Sequence, residues 1–482
     1  MMQQPRILDK LSTAASVSQR SALISARLER LPSTRSLWTQ VALISLGGFF
    51  EFYDLFFSGY IAPGLVRSGI LTATTKGLFG LTGVASFVAA MFSGLFIGTF
   101  LVSFVADRFG RRTIFTASLI WYTICTVIMA FQNDVFGLNL WRFLAGIGVG
   151  VELVTIDTYL SELVPRSIRG RTFAFNQTIQ FCAVPTVALL AWLLVPRSPF
   201  GLDGWRWVVL AGAVGAIFVW WIRRRVPESP RWLAAHGHMD EADRVLLTME
   251  RRAEAETGQP LPPPVKLATA PPVIAQNSVS QNIFREIWRP PYLSRTIMMI
   301  IFNLFQTVGF YGFSNWVPTF LISRGIAVTS SLRYTFFIAI AAPFGPGLAS
   351  LIADKCERKW QVVCAALGIA VFGLIFARMS DGGLLIFLGV LLTLSANILS
   401  FSSHAYQTEL YPTRIRATAV GFTYSFSRLS VVFSSFAISF FLSRFGVPGV
   451  FTFIAGSMVM VMLSIGLMGP KTKNLALEEI SR

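Results

Sequence analysis

The chain has 482 residues, of which 54% are hydrophobic and only 13% are charged. Soluble globular proteins carry about 25% charged residues, so this composition excludes that class. The net charge of +17 lies mostly in alternate loops, which indicates membrane topology and argues against nucleic-acid binding. Apolar runs long enough to cross a bilayer recur along the chain, and they predict an all-α integral membrane protein.

Hydropathy predicts twelve transmembrane helices in two groups of six. We expect the spans at about 37–66, 80–106, 113–131, 136–161, 172–195, 205–223, 294–321, 332–353, 360–378, 383–407, 418–442 and 448–468. The predicted domains are a cytoplasmic tail (1–36), a six-helix bundle (37–223), a cytoplasmic segment with short helices and a Pro-rich linker (224–293), a second six-helix bundle (294–468) and a second cytoplasmic tail (469–482).

Lys and Arg concentrate in the loops that would share a side with both termini. By the positive-inside rule that side is cytoplasmic, so we expect a multi-pass protein of the plasma (inner) membrane. The polar first segment contains no apolar core typical of a signal peptide. We expect a monomer in the lipid bilayer, with a small molecule and protons as its partners.

Two charged motifs occur twice at one offset. Asp107 and Asp354 lie 247 residues apart in similar segments, and so do Glu162 and Glu409. This repeat indicates two parallel, pseudo-symmetric six-helix bundles, an arrangement found in one large transporter fold. The motifs lie at cytoplasmic ends of spans, where they either close the cytoplasmic side by ion pairs or only mark topology. The gate candidates are Asp107, Arg108, Arg111, Arg112, Glu162, Arg169, Asp354, Arg358, Glu409 and Arg416.

The segment 107–112 resembles the loop between the second and third helices of the major facilitator superfamily. Segments 142–150, 162–171 and 227–232 resemble motifs of its sugar-porter branch. The likeness covers about 37–470 and implies the twelve-helix major facilitator fold. The residues show no phosphate-binding glycine loop, metal-binding helix or nucleophile, so we expect neither an enzyme nor a cofactor.

Span seven departs from the sugar-porter pattern. It keeps Gln306, but Tyr311 replaces the sugar-contacting asparagine, and Asn315 and Trp316 replace a pair of tyrosines. The segment 409–428 is more similar to proton:metabolite symporters and organic-anion carriers, relatives that transport small carboxylates. The resemblance therefore favours a carboxylate over a hexose.

Asp54 and Arg142 are charged residues inside spans one and four, at a similar depth. An ionisable residue at membrane depth is a candidate functional residue. A carboxylate that is alternately paired with Arg and buried alone could bind and release a proton. The resemblance implies that this pair couples protons, and a structural salt bridge is the alternative. Glu51, on the same helical face as Asp54, is either a second proton site or a hydrogen-bonded acid.

Arg428 lies about 15 Å into span eleven at 1.5 Å per residue, with no acidic neighbour in sequence. Its planar guanidinium suits a carboxylate, so we predict a substrate contact. The alternative is an ion pair with Glu51, Asp54 or another acid. The resemblance implies that Gln177 contacts substrate. The remaining candidates, which could instead hydrogen-bond helices together, are Asn176, Gln180, Gln306, Tyr311, Asn315 and Trp316.

These features predict a secondary transporter that imports a small organic carboxylate with a proton by alternating access. The aromatic residues of spans one and seven are compatible with a ring on that acid. A proton-coupled or facilitative sugar or polyol transporter is an alternative. A non-transporting membrane sensor with the same fold is an alternative from another class, although the loops contain no signalling domain.

Overall fold

A computed structural model describes residues 20–72, 75–77, 82–109, 111–223, 226–264, 285–353, 356–411 and 413–471. The described chain is built from helices. They are α1 (20–29), α2 (Arg35–Arg67), α3 (Gly83–Phe109), α4 (Arg111–Ala130), α5 (Val135–Leu163), α6 (Arg166–Phe181), α7 (Ala183–Leu194), α8 (Gly204–Arg223), α9 (Pro230–Ala235), α10 (Met239–Thr257), α11 (Tyr292–Ser314), α12 (Val317–Ser323), α13 (Val328–Ala339), α14 (Phe344–Ala353), α15 (Arg358–Phe376), α16 (Gly382–Glu409) and α17 (Thr413–Met468).

Three predicted spans, 172–195, 294–321 and 332–353, are interrupted, and a glycine break separates two others. Pro185 has no N–H to donate to the carbonyl of Phe181, and α6 ends at that residue. Pro318 lies in the first turn of α12, a position that tolerates proline. Gly446 has a φ of 64° inside α17, and this left-handed residue separates spans eleven and twelve.

Nine helical stretches of the described chain are long and apolar enough to cross a membrane. The last of them, Ala419–Met468, has 50 residues and contains the break at Gly446, so it has the length of two spans. The shorter apolar stretch Gly83–Thr99 and the helix α8 complete a set that is consistent with twelve spans.

The two halves of the chain meet through three sets of helices. The helix α3 packs against α17, α7 packs against α13, and α2 packs against α12. Under the internal repeat, span two corresponds to span eight, span five to span eleven, and span one to span seven. The contact of spans two and eleven is therefore the counterpart of the contact of spans eight and five. The interface therefore follows the pseudo-symmetry that the repeated motifs predict.

The helices α1, α9 and α10 form a layer at one end of the bundle, which we call the collar. The short helices predicted after residue 230 are present as α9 and α10, whereas α1 was expected to be part of a tail. Arg27 binds Glu250 at 2.7 Å and Asp243 at 2.6 Å, and Arg30 binds Glu250 at 2.7 Å. Most of the predicted Pro-rich linker, at 265–284, lies outside the described residues.

Candidate transport site

Asp54 and Arg142 form a buried ion pair between α2 and α5. Nη1 of Arg142 donates to Oδ2 of Asp54 at 2.9 Å, and the two residues are 0% and 4% exposed. Nη2 donates to the backbone carbonyl of Asp54 at 2.6 Å and to Oγ of Ser58 at 2.7 Å. Nε also donates to Ser58, at 3.1 Å. Most hydrogen bonds of this guanidinium therefore go to neutral oxygens.

Aromatic rings and one hydroxyl complete the surroundings of this ion pair. The guanidinium carbon of Arg142 lies 4.1 Å from the ring centre of Phe57 and 5.6 Å from that of Phe87. Both distances are in the range of cation–π contacts. The hydroxyl of Thr126, on α4, donates to Oδ1 of Asp54 at 3.2 Å. Helices α2, α3, α4 and α5 thus all contribute to one buried charged site.

Arg428 is buried in the second half without a carboxylate partner among the described residues. It is 2% exposed. Nη1 donates to the hydroxyl of Tyr311 at 3.0 Å, and Nη2 donates to the hydroxyl of Tyr424 at 3.1 Å. Nε is buried and has no hydrogen-bond partner there. Because phenol hydroxyls are neutral, the positive charge of Arg428 is not balanced by direct contact with an anion.

Glu51 lies on the same helix as Asp54 and near Arg428. It is fully buried on α2, three residues before Asp54. Its carboxylate interacts electrostatically with the guanidinium of Arg428 on α17. The alternative in which Arg428 pairs with Asp54 is not observed, because Asp54 is bound to Arg142.

The predicted polar residues fall into two groups by their contacts. Asn176 and Asn315 are fully buried, and within the described chain their amide groups have no hydrogen-bond partner. Gln180 lies against α2, where a Cβ on Gly48 would be 2.6 Å from its Nε2. Gln306 is buried on α11, and Gln177 is half-buried on α6. Buried amides without partners are costly, so these positions fit a polar ligand or bound water.

The aromatic residues fill the space between the halves. Tyr311 packs against Phe92 at 4.9 Å and near Phe56 at 6.4 Å, whereas Trp316 stacks on Phe320. A cavity of about 20 Å³, enough for roughly one water molecule, remains between the halves, and Phe56, Phe181, Phe310 and Asn397 are among its lining residues.

The end of the bundle opposite the collar is closed. A Cβ on Gly59 would be 2.0 Å from the carbonyl oxygen of Asn315, so α2 touches the break between α11 and α12. Trp192 of α7 stacks on Phe336 of α13 with ring centres 5.7 Å apart. These contacts join the halves beyond the charged residues and separate those residues from that side.

The predicted gate residues whose side chains the structure describes lie at the collar end. Arg358 and Glu409 form an ion pair in the second half. In the first half, Nη2 of Arg169 lies 4.0 Å from Glu29 of α1, and Glu162 is half-buried. Arg112 is exposed, and its backbone N–H donates to the carboxylate of Glu228 at 3.2 Å. The side chains of Asp107, Arg108, Arg111, Asp354 and Arg416 lie outside the described part of the structure.

Several residues of the site were not predicted from the sequence. Ser58 and Tyr424 each lie one helical turn from a predicted charged residue, a spacing that could have identified them. Thr126 comes from a different helix, and Glu29 from the segment expected to be a tail, so neither carries a local signal.

Comparisons with known proteins agree with this arrangement. The family model described as "Sugar (and other) transporter" matches residues 40–482. The chain belongs to this family. The putative metabolite transport protein YyaJ of Bacillus subtilis is 31% identical over 447 residues, which are 92% of this chain and 95% of that protein. The niacin transporter NiaP of Acinetobacter baylyi is 26% identical, over 94% of this chain and 99% of that protein.

A similar solved structure is the xylose transporter XylE from E. coli in a partially occluded inward-open conformation. The TM-score is 0.71 at 20% identity, with 91% of this chain and 99% of that one covered. The predicted major facilitator fold is therefore confirmed. This member of the sugar transporter family is a multi-pass membrane protein that transports metabolites, and it is not an enzyme.

Proposed function

We propose that this protein imports a small organic carboxylate together with a proton by alternating access, with its termini in the cytoplasm. The observation that carries the proposal is Arg428, a buried arginine whose described partners are neutral phenols. A guanidinium presents donors in a planar fork that matches a carboxylate. Replacement of weakly bound phenols by a carboxylate would supply the missing negative charge.

The surroundings of Arg428 support an acid with a ring. The ring of Tyr311 lies beside the guanidinium and packs against the rings of Phe56, Phe92 and Phe310. Flat apolar surfaces favour an aromatic or otherwise planar substrate. The relative named as a niacin transporter is consistent with this chemistry. The unpartnered amides of Asn176 and Asn315 would supply polar contacts to substituents on the ring.

The proton role of Asp54 is supported by the neutral partners of Arg142. When Asp54 is ionised, Nη1 of Arg142 is bound to its carboxylate. When Asp54 is protonated, the hydroxyl of Ser58 and the backbone carbonyl of residue 54 can still accept from the guanidinium. Arg142 therefore keeps hydrogen bonds in both states, and the cost of an uncompensated buried charge is reduced. Glu51 is the remaining candidate for a second proton site.

The test is uptake into proteoliposomes of labelled nicotinate and benzoate against xylose and inositol, with and without an inward proton gradient. We expect acid uptake that the gradient increases. Arg428→Ala removes a hydrogen bond to a charged group and should weaken acid binding by about 10- to 100-fold. Uptake of sugars without uptake of acids would contradict a carboxylate substrate. An affinity for the acid that is unchanged in Arg428→Ala would show that Arg428 is structural.

A transporter of sugars or polyols remains the second candidate, because the matching family is named for sugars. Gln177, Gln180 and Gln306 suit hydroxyl groups, since amides both donate and accept hydrogen bonds. A substrate without charge would leave Arg428 bound to its phenols. The same uptake experiment separates the two candidates.

A further inference from the structure

The side chain of Tyr311 touches both the arginine of the second half and aromatic residues of the first half. Its hydroxyl accepts from Nη1 of Arg428 at 3.0 Å. Its ring centre lies 4.9 Å from that of Phe92 on α3 and 6.4 Å from that of Phe56 on α2. A residue of α11 therefore joins α17 to two helices of the other half.

The helices that bear Phe56 and Phe92 also contact the proposed proton site. On α2, Phe57 follows Phe56 and lies 4.1 Å from the guanidinium carbon of Arg142. On α3, Phe87 lies 5.6 Å from the same carbon and five residues before Phe92. Each of these helices thus contacts Tyr311 with one ring and Arg142 with another.

Tyr424 provides an internal comparison for Tyr311. Its hydroxyl accepts from Nη2 of Arg428 at 3.1 Å, almost the same bond. Tyr424 lies on the same helix as Arg428, one turn earlier, and its described ring contact is with His404 of α16, at 5.3 Å. The hydrogen bond and the ring contact of Tyr424 are therefore both inside the second half, whereas the first-half acids Glu51 and Asp157 interact with it through their charge.

We propose that Tyr311 is the residue through which substrate binding at Arg428 is coupled to the Asp54–Arg142 ion pair, and that Tyr424 only positions Arg428. A carboxylate that accepts the N–H of Nη1 now bound to Tyr311 displaces the hydroxyl of that residue from Arg428. The freed ring then moves against Phe56 and Phe92, and this motion shifts the helices that hold Arg142. This inference rests on the proposed function and assigns a coupling role to one of its residues.

Coupling between two sites is reciprocal, so it can be measured from either one. If protonation of Asp54 favours the substrate, the substrate should bind more tightly as the pH falls. The titratable or charged groups near Asp54 are Arg142, Cys125, Tyr53 and Glu51, and those near Arg428 are Tyr311, Tyr424, Glu51 and His404. Asp157 of α5 also interacts with Tyr424 through its charge. Conservative variants of the two tyrosines leave every other member of these sets in place.

The experiment measures dissociation constants of nicotinate and benzoate for the purified full-length protein in nanodiscs, at acidic and at alkaline pH. Tyr311→Phe and Tyr424→Phe each remove one hydroxyl bound to Arg428 and keep the ring. At a fixed pH both should tighten acid binding by about 2- to 10-fold, because one neutral hydrogen bond no longer competes. The pH dependence should be retained in Tyr424→Phe and lost in Tyr311→Phe.

The possible outcomes separate this inference from the proposed function. If wild-type protein binds neither acid, or binds them without pH dependence, the proton-coupled carboxylate transport on which the inference rests is wrong. If the wild type shows pH-dependent binding and both variants retain it equally, or lose it equally, the role of Tyr311 is wrong. A second pair, Tyr311→Leu and Tyr424→Leu, tests the ring contacts, and gradient-driven uptake should be lost only in the first.

Discussion

At the scale of single residues, the ion pair of Asp54 and Arg142 joins four helices through one guanidinium and one carboxylate. Both residues are almost completely buried, and removal of one partner from such a pair generally destabilises a protein by about 3–5 kcal/mol. The hydrogen bonds to Ser58 and to the backbone are the reason why this cost would be smaller when Asp54 is only protonated.

The variant Asp54→Asn mimics a permanently protonated residue and should abolish accumulation of substrate against its gradient. Exchange of labelled for unlabelled substrate should continue, because substrate binding at Arg428 does not need the carboxylate. Both are measured in proteoliposomes. The control Thr126→Val removes one hydrogen bond to the same carboxylate, at 3.2 Å, and should reduce accumulation without abolishing it. Accumulation by Asp54→Asn would indicate that Glu51 or another acid carries the proton.

The charged residues of the site were identifiable from the sequence, and several of their partners were not. Asp54, Arg142 and Arg428 stand out because charges are rare in apolar spans. The hydroxyl of Thr126 and the rings of Phe57 and Phe87 are ordinary for a membrane helix, so their contacts depend on how the helices pack. The sequence also leaves the partner of Arg428 open, because phenol oxygens and carboxylates can both accept hydrogen bonds from a guanidinium.

At the scale of elements, the collar depends on ion pairs between α1 and α10. Burial alone would raise the pKa of Glu250, but hydrogen bonds and charge from Arg27 and Arg30 outweigh it and lower the pKa below its ordinary value of 4.5. The folded state thus favours the ionised form. The resulting stability is present above the ordinary pKa of glutamate and is lost as the pH falls through the lowered value.

The variant Glu250→Gln should therefore lower the thermal unfolding temperature at neutral pH. The difference from wild type should shrink as the pH falls below 4.5, because the wild-type carboxylate is then protonated. The matched control is Glu241→Gln, an equal change of charge at an exposed position of the same helix. Equal unfolding temperatures of the two variants at neutral pH would show that the ion pairs of α1 add no stability.

The long apolar helices could be predicted from the sequence, and the collar only in part. Span periodicity and length identify the bundle helices, and Pro185 and Pro318 indicate where two of them break. The helix α1 is short and amphipathic. Arg27 and Arg30 bind residues more than 200 positions away, and Ile24 and Leu28 are buried in an apolar cluster that includes residues of α10. Its position is therefore decided by tertiary contacts that local sequence does not encode.

At the scale of the whole molecule, alternating access requires the contacts that close the far end to open. Gly59 is one of these contacts, since a Cβ there would be 2.0 Å from the carbonyl oxygen of Asn315. An added methyl group in a tight contact generally costs about 1–3 kcal/mol. The variant Gly59→Ala should therefore favour the state in which this end is open.

Gly59→Ala should still bind substrate but exchange it across the membrane about 10-fold or more slowly, given that overpacking cost. Exchange rates and equilibrium binding are measured on the same preparation. The control is Gly421→Ala on α17, where an added Cβ meets no atom within 4 Å. Similar exchange rates for the two variants would mean that the contact between α2 and Asn315 does not control closure.

The twofold repeat could be predicted from the sequence. The different roles of the charged residues in the two halves could be predicted only in part. By the offset of 247 residues, span two corresponds to span eight and span five to span eleven, so the repeat relates the packing of α3 on α17 to that of α7 on α13. The two charged sites have no copies under this offset. The nearness of Glu51 to Arg428 and the contacts of Tyr311 with both halves arise only when the halves assemble.

The central claim is that one proton enters with one carboxylate, and proton movement tests it most directly. Wild-type, Asp54→Asn and protein-free vesicles are suspended in weak buffer, and the external pH is followed after addition of nicotinate. We predict a rise in external pH for wild type alone, beyond any slow change from passive entry of the acid into protein-free vesicles. Nicotinate uptake by wild type with no rise in pH beyond that of protein-free vesicles would contradict proton-coupled transport.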